Sequence, residues 1–203
     1  GKSTTLAALI EHNNNTRSKH VITIEDPIEY IYKNKKCVID QREVGIHTQS
    51  FAAALKHSLR QNPDIILVGE MRDRETISLA LAAAETGHLC LSTLHSQDAP
   101  STVDRIIDEF PSEQQGKLRA QLATLLTAVV SQVMLPRKSG GVVCAREVMV
   151  MSSAVATHIR EGKIHQLYGV IESGAQYGMH TMDQSLAVLV ARLSPEKDVG
   201  TLL

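Results

Sequence analysis

Gly1-Lys2-Ser3-Thr4-Thr5-Leu6-Ala7-Ala8-Leu9-Ile10 is the stretch on which the reading of this chain turns. Its first residues match the end of the pattern G-x-x-x-x-G-K-[ST]. In that pattern backbone N–H groups surround phosphates, and the positive N-terminus of the following helix faces the same anion. Lys2 would sit on the β- and γ-phosphates, Ser3 would offer its hydroxyl to Mg²⁺, and Thr4 to Ile10 supplies the helix that such a loop feeds. The leading glycines of the pattern would precede Gly1, so the sequence is expected to be a fragment. A triplet as short as Gly-Lys-Ser recurs by chance, and the competing reading is an ordinary helix start. The residues downstream decide between the two.

Short aliphatic runs occur at His20-Val21-Ile22-Thr23-Ile24, Ile65-Ile66-Leu67-Val68 and Leu89-Cys90-Leu91-Ser92-Thr93. They are near-continuously apolar, as strands buried on both faces should be, and read as central parallel strands. Helical segments lie between them at Ser50 to Arg60 and Asp73 to Glu85, the latter with Ile77, Leu81 and Ala84 on one face and Gly87 past its end. Strand alternating with helix predicts an α/β fold with a mostly parallel, doubly wound sheet. Tyr30-Ile31-Tyr32, a turn through Lys33 to Lys36, and Cys37-Val38-Ile39 read as a projecting hairpin. Further on, helices are expected at Ala99 to Asp108 and Ser112 to about Leu126. An antiparallel pair, Val129 to Leu135 and Val142 to Val150, turns through Pro136 to Gly141. Helices are again expected at Ala154 to Arg160, Ile164 to Glu172 and Thr181 to Leu193. The stretch Pro195 to Leu203 reads as a frayed or truncated end.

With 203 residues, 43% of them hydrophobic, the chain can bury a core of ordinary size. A net charge of -1 gives no global electrostatic reason to bind nucleic acid. Cys37, Cys90 and Cys144 are too far apart for C-x-x-C chemistry and read as buried thiols of a reducing compartment. No run approaches the ~20 apolar residues of a membrane span, and a cytoplasmic location is expected. With no Trp, two Phe and four Tyr, the core must be aliphatic, which also argues against a base-stacking platform.

Immediately after the first strand, Glu25-Asp26-Pro27-Ile28-Glu29 places three carboxylates where α/β sheets hold ligands. Read alone, the pentapeptide is a solvated acidic turn. The second strand ends in Gly69-Glu70, followed by Met71-Arg72-Asp73, so Glu70 can reach Mg²⁺ through water. Asp73 suits the N-terminus of the next helix, where a carboxylate contributes ~0.3 to 1 kcal/mol. The third strand ends in Thr93-Leu94-His95. A zinc site from His88, Cys90 and His95 has no recognised spacing, and His88 reads as structural. Lys2, Glu29, Glu70 and His95 are therefore expected at the carboxyl ends of successive strands, and together they point to a nucleotide site.

Gly1-Lys2-Ser3-Thr4, Thr23-Ile24-Glu25-Asp26-Pro27-Ile28-Glu29, Gln41-Arg42-Glu43-Val44, Asp64 through Asp73 and Glu85-Thr86-Gly87-His88 through His95 resemble the secretion-ATPase superfamily. Within it they resemble the PilT-type retraction ATPases of the type IV pilus. Two features choose that branch. Pilus-assembly and type II secretion members carry a tetracysteine zinc motif in the C-terminal half, where this chain has only Cys144. The stretch Ala154 to Lys163 sits where retraction members have A-I-R-N-L-I-R-E: Ala154, Ile159, Arg160 and Glu161 agree, while Val155, Ala156, Thr157 and His158 depart.

The resemblance implies a RecA-like P-loop NTPase domain, with residues 1–150 as the ATPase core and 151–203 as a C-terminal helical segment of the same domain. An N-terminal PAS-like domain would precede this chain. It implies ATP and Mg²⁺ as ligands, bound through Gly1, Lys2, Ser3 and Thr4, with Ser3 and Glu70 on the metal. The catalytic set is Glu29, Glu70 and His95, with Glu29 orienting the attacking water, His95 sensing the γ-phosphate and Arg72 organising Glu70 or a subunit contact. Partners implied are five further copies in a homohexamer and an inner-membrane pilus platform protein, at the inner face of the cytoplasmic membrane. Arginines from outside this segment complete such sites, so the chain alone is expected to turn over ATP slowly. Three alternatives stay open: an assembly or type II/IV secretion ATPase, a regulatory nucleotide-binding module, and a DNA-translocating ring, the last disfavoured by the neutral composition.

Overall fold

The first two aliphatic runs become inner strands of a sheet with helices on both faces, whereas the third, Leu89–Ser92, expected as a central strand, forms an edge with Leu89 44% exposed. In the computed structural model, which describes residues 1–137 and 140–193, four parallel strands form one sheet. These are β1 (His20–Glu25), β2 (Val38–Glu43), β3 (Ile65–Val68) and β4 (Leu89–Ser92), in the order β2-β1-β3-β4. Helix α1 (Lys2–Thr16) covers one face, where Ile10 packs with Val21, Cys37, Ile39, Ile65 and Leu67. Helices α2 (Phe51–Ser58) and α3 (Arg74–Glu85) cover the other, where Ala54, Leu55, Ala80 and Ala83 pack on Ile22, Ile24, Ile66 and Val68. Each buried Ile, Leu or Val contributes ~1.5 to 3 kcal/mol, which makes the two inner strands the centre of stability. The sheet is α/β and parallel throughout, as the alternation of strand and helix predicts.

Three further expectations are corrected. No hairpin forms at 30–39: residues 30–32 are not a strand, and β2 pairs in parallel with β1, His20 opposite Val38 through Glu25 opposite Glu43. The polar run looks like a hairpin turn, but its backbone groups bond to α1 rather than across a ladder. Asn14, fully buried, donates to the Lys33 carbonyl at 2.8 Å and accepts from the Lys35 and Cys37 N–H groups. On α3 the buried face is Thr76, Ile77, Ala80 and Ala83, so Leu81 and Ala84 lie at its margin; small alanines let the helix approach the sheet more closely than leucine would. Of the cysteines only Cys37 is fully buried. Cys90, on the edge strand β4, and Cys144, in a two-stranded sheet, are half-buried, although burial still pushes the Cys90 thiol up to about 11.

Two compact units divide the chain, Lys2–Leu94 and the stretch from His95 onward, with which Gly1 groups. The second contains α4 (Ala99–Asp108), α5 (Ser112–Leu125), the antiparallel pair β5 (Ala128–Pro136) and β6 (Val142–Val150), α6 (Ser153–Glu161), α7 (Leu167–Ser173) and α8 (Met182–Leu193). Its centre is Glu147, 2% exposed, whose carboxylate accepts from the Ala99 N–H at 2.7 Å and the Met182 N–H at 3.4 Å. One buried carboxyl group thereby faces the N-terminal ends of two helices. Lys138 and Ser139 of the expected turn, and the expected end from Pro195 to Leu203, lie outside the described residues. Among the described residues no helix is long and apolar enough to cross a membrane.

Asp64 ties β1 to β3 at their starts. Its carboxylate accepts from Lys19 Nζ at 2.7 Å and the His20 N–H at 2.8 Å, and its own N–H donates to the His20 carbonyl. These bonds, that from Lys19 first, hold its pKa below the usual carboxylate value. A depressed folded pKa means stability present above the unfolded value and lost as pH falls through the folded one. The side chain is 40% exposed, so screening keeps the effect modest. Asp64→Asn should lower the urea unfolding free energy by about 1 kcal/mol at neutral pH, with the gap to the native chain closing below about pH 4. A gap unchanged across that range would exclude the ionic contribution.

Candidate functional site

Helix α1 begins at Lys2, so the phosphate-loop residues form its first turn. Lys2 Nζ donates to the Leu94 carbonyl at 3.3 Å, two residues past β4. Ser3 Oγ donates to Glu29 Oε1 at 3.0 Å, and the Thr4 hydroxyl lies 3.0 Å from that of Tyr30. The first turn of α1 is thereby joined to the segments that follow both β1 and β4. Gly1 groups with the second unit, where a Cβ added to it would lie 3.1 Å from Met134 Sδ.

The acidic segment after β1 is not a loose surface turn. Glu25 points back along the sheet, accepting from Thr23 Oγ1 at 2.7 Å and Gln41 Nε2 at 3.3 Å. Gln41 Nε2 also donates to the Tyr30 carbonyl, and Gln41 Oε1 accepts from the Tyr32 N–H. Glu43 accepts from the Ile28 N–H at 2.9 Å. Two side chains of β2 hold this backbone, one of them braced by Glu25, and Glu29 is left exposed beside Ser3. The sequence marks Glu25 and the Gln41-Arg42-Glu43-Val44 stretch, but not that Gln41 and Glu43 bond to the backbone on either side of Glu29.

The end of β3 is set by a close approach. The Gly69 N–H donates to the Ile24 carbonyl at 2.7 Å, and a Cβ at Gly69 would meet that oxygen at 3.2 Å and Glu25 Cα at 3.4 Å. Thr93 Oγ1 donates to the Gly69 carbonyl at 2.7 Å, and the Met71 N–H to the Thr93 carbonyl at 3.2 Å. Glu70 follows directly, its carboxylate 17% exposed and bonded by Arg72 Nε at 2.7 Å. Asp73 caps α3 as expected, accepting from the Thr76 N–H at 2.8 Å.

His95 opens the second unit, its carbonyl accepting from Arg105 Nη1 at 2.6 Å. It is covalently next to Leu94, whose carbonyl Lys2 holds. His88 is structural, its Nδ1 at 2.9 Å from the Ala83 carbonyl at the end of α3. Among the described residues no three His, Cys, Asp or Glu side chains gather into a metal site. Mg²⁺ bound through a nucleotide does not need one: it keeps several waters and takes one or two protein oxygens together with the phosphates. The hydroxyl of Ser3 and the carboxylate of Glu70 are hard oxygen donors of that kind, so the donor set fits.

Comparison with known proteins shows the family to which the chain belongs. The family described as Type II/IV secretion system protein matches residues 1–184. The type IV pilus retraction ATPase PilT of Pseudomonas aeruginosa is 50% identical over 192 residues, which are 95% of this chain and 56% of that protein. A twitching motility protein of Neisseria gonorrhoeae is 52% identical over 199 residues, 97% of this chain and 53% of that one. The crystal structure of the pilus retraction motor PilT with bound ADP matches with a TM-score of 0.90 at 46% identity, covering 100% of this chain and 56% of that one. The chain spans about half the length of the curated relatives it matches.

The contacts at Gly69 are with backbone, which cannot swing aside as a side chain can. Gly69→Ala should cost about 1 to 3 kcal/mol in urea unfolding, the range of an overpacked core position. Stability within a few tenths of the native chain would show that β1 and β3 part readily there.

Proposed function

The chain belongs to the type II/IV secretion system protein family, and from that premise we propose that it is the ATP-hydrolysing part of a type IV pilus retraction motor. The observation that carries the reading is the bond from Ser3 Oγ to Glu29 Oε1 at 3.0 Å, which joins a phosphate-loop hydroxyl to an exposed carboxylate. Phosphoryl transfer asks chiefly for positioning and charge stabilisation. Lys2 supplies a positive charge to the phosphates, and the N-terminus of α1 adds its own. Ser3 and Glu70 would hold Mg²⁺, which when bound neutralises charge on the phosphate oxygens. Glu29 orients the attacking water and accepts its proton. A Ser3 hydroxyl serving a bound metal would not donate to Glu29, which would leave that carboxylate available as base.

Arg72 positions Glu70 through the 2.7 Å bond to its carboxylate. His95 reads the γ-phosphate and passes the signal into the unit it opens. Residues 1–150 form the ATPase core in this reading, and 151–203 a helical segment attached to it. The motor is a homohexameric ring in the cytoplasm, at the inner face of the cytoplasmic membrane, acting on an inner-membrane platform protein of the pilus. Retraction is preferred over assembly or secretion because the matched relatives are named for retraction and twitching. The C-terminal half also has only Cys144, too few thiols for a tetracysteine zinc site.

ATP turnover by the full-length protein tests the assignment. Glu29→Gln should lower kcat at least a hundredfold while nucleotide affinity stays within about twofold. Lys2→Ala should lose both affinity and turnover. Turnover in Glu29→Gln within about twofold of native would remove Glu29 as base. In cells, loss of this gene should abolish twitching and leave more pili on the surface; loss of pili instead would assign the motor to assembly.

A further inference from the structure

A cavity lies on the other face of the sheet from α1. It has a volume of about 650 Å³ and is lined by Asp40, Gln41, Arg42, His47, Thr48, Ala54 and His57. That is within the range of small-molecule sites, which run from roughly 300 to 1,000 Å³. Strand alternation explains its floor. Gln41 and Glu43 turn their side chains toward the acidic segment after β1, and so Asp40 and Arg42 turn theirs toward α2. Helix α2 contributes Ala54 and His57, one turn apart on a single face.

Arg42 and His47 are held in place by bonds within the protein. Arg42 Nη1 donates to Ser58 Oγ at 3.3 Å and Nη2 to Gln61 Oε1 at 2.5 Å. Ser58 is itself fully buried, its hydroxyl donating to the Ala54 carbonyl at 2.8 Å. A guanidinium carries five N–H donors, so these two bonds aim the fork and leave further donors for a ligand. His47 sits in a tight loop in which Gly45, at φ +85°, donates to the Thr48 carbonyl, and the His47 N–H donates to the Glu43 carbonyl at 2.8 Å. The His47 ring accepts the Glu43 N–H at Nδ1, 3.0 Å away. A neutral imidazole that accepts at Nδ1 carries its proton on Nε2, so His47 faces outward as a donor. Asp40, the one carboxylate in the lining, is already turned to His20 Nε2 at 2.9 Å.

An oriented guanidinium and an oriented imidazole beside one cavity, with a second imidazole in its lining and the lining carboxylate engaged by His20, are the chemistry of an oxyanion site. We propose that this cavity binds a small phosphate-bearing molecule, held by the free N–H groups of Arg42 and by the imidazoles of His47 and His57. The site is separate from the Lys2 phosphate loop, since α1 covers the opposite face of the sheet. A ligand there bridges β2 to α2 and to the 44–48 loop, and so stiffens the strand whose other side chains support Glu29.

Inorganic phosphate, titrated into the isotopically labelled protein while the Arg42 Nε–H and the His47 and His57 ring resonances are followed by NMR, tests the proposal. The expected result is a saturable shift of all three, weakened about tenfold or more by Arg42→Gln, as loss of a charge-assisted fork requires. His57→Ala, at an exposed position that cannot unfold the chain, should weaken binding by a smaller factor and keeps the test valid if Arg42→Gln misfolds. Lys2→Ala should leave the three shifts unchanged; their disappearance in that variant would mean that phosphate acts only through the loop, and would overturn the proposal. So would the absence of a saturable shift. The same resonances moving with protein concentration, in the absence of phosphate, would assign the cavity to a carboxylate of another copy and also overturn it.

Discussion

The pairing of β1 with β3 at Gly69 is the constraint on which the first unit depends. A 2.7 Å bond from the Gly69 N–H to the Ile24 carbonyl, at a point where a Cβ would stand 3.2 Å from the same oxygen, brings the two strand ends as close as the backbone allows. Glu25 follows Ile24 and Glu70 follows Gly69, so this one approach sets the spacing of the carboxylates beyond the sheet. Thr93 extends the arrangement to β4 by donating to the Gly69 carbonyl. An apolar strand ending in Gly-Glu is therefore a positional device as much as a chemical one. The glycine brings the strand in, and the glutamate, held by Arg72, is carried with it.

Much of this was legible from the residues because the strongest signals are energetic ones. Ile22, Ile24, Ile66 and Val68 must be covered on one face, and Val21, Ile65 and Leu67 on the other, and only a parallel sheet between helices does both. Caps were equally plain: Asp73 and Ser50 accept from the N–H groups three residues on. The segment at 30–39 was not legible, because its backbone partners are side chains distant in sequence. A turn-like polar run gives no sign that Asn14 of α1 will bond to Lys33, Lys35 and Cys37, or that Gln41 will bond to Tyr30 and Tyr32. Long-range side-chain-to-backbone bonds leave no periodicity to read. Glu147, a buried carboxylate that caps two helices from a strand, is invisible to pattern for the same reason.

The candidate site divides along the same line. Lys2, Ser3, Glu29 and Glu70 are identifiable from local sequence because each sits at an element's end, where ligand chemistry concentrates. Gln41 and Glu43, which hold the backbone around Glu29, belong to a stretch that the sequence marks, yet their bonds to residues 28, 30 and 32 leave no local pattern. His95 is the first residue of the second unit: its place after β4 is a sequence fact, and its carbonyl is held by Arg105 of the same unit.

Edge strand β2 is where these threads meet. Its residues alternate between two tasks: Gln41 and Glu43 hold the backbone around Glu29, while Asp40 and Arg42 line the cavity against α2. Because the side-chain period of a strand is two, a slip of one residue against β1 would exchange the two sets and dismantle both. Register is fixed from each end, by the Val38 N–H donating to the Lys19 carbonyl and by the Val44 N–H donating to the Glu25 carbonyl. A ligand or contact that moves Arg42 must therefore also act on Gln41 and Glu43, since they share one rigid ladder. The physical link between the cavity and the carboxylate beside Ser3 is the strand itself, one peptide bond from Arg42 to each of its neighbours.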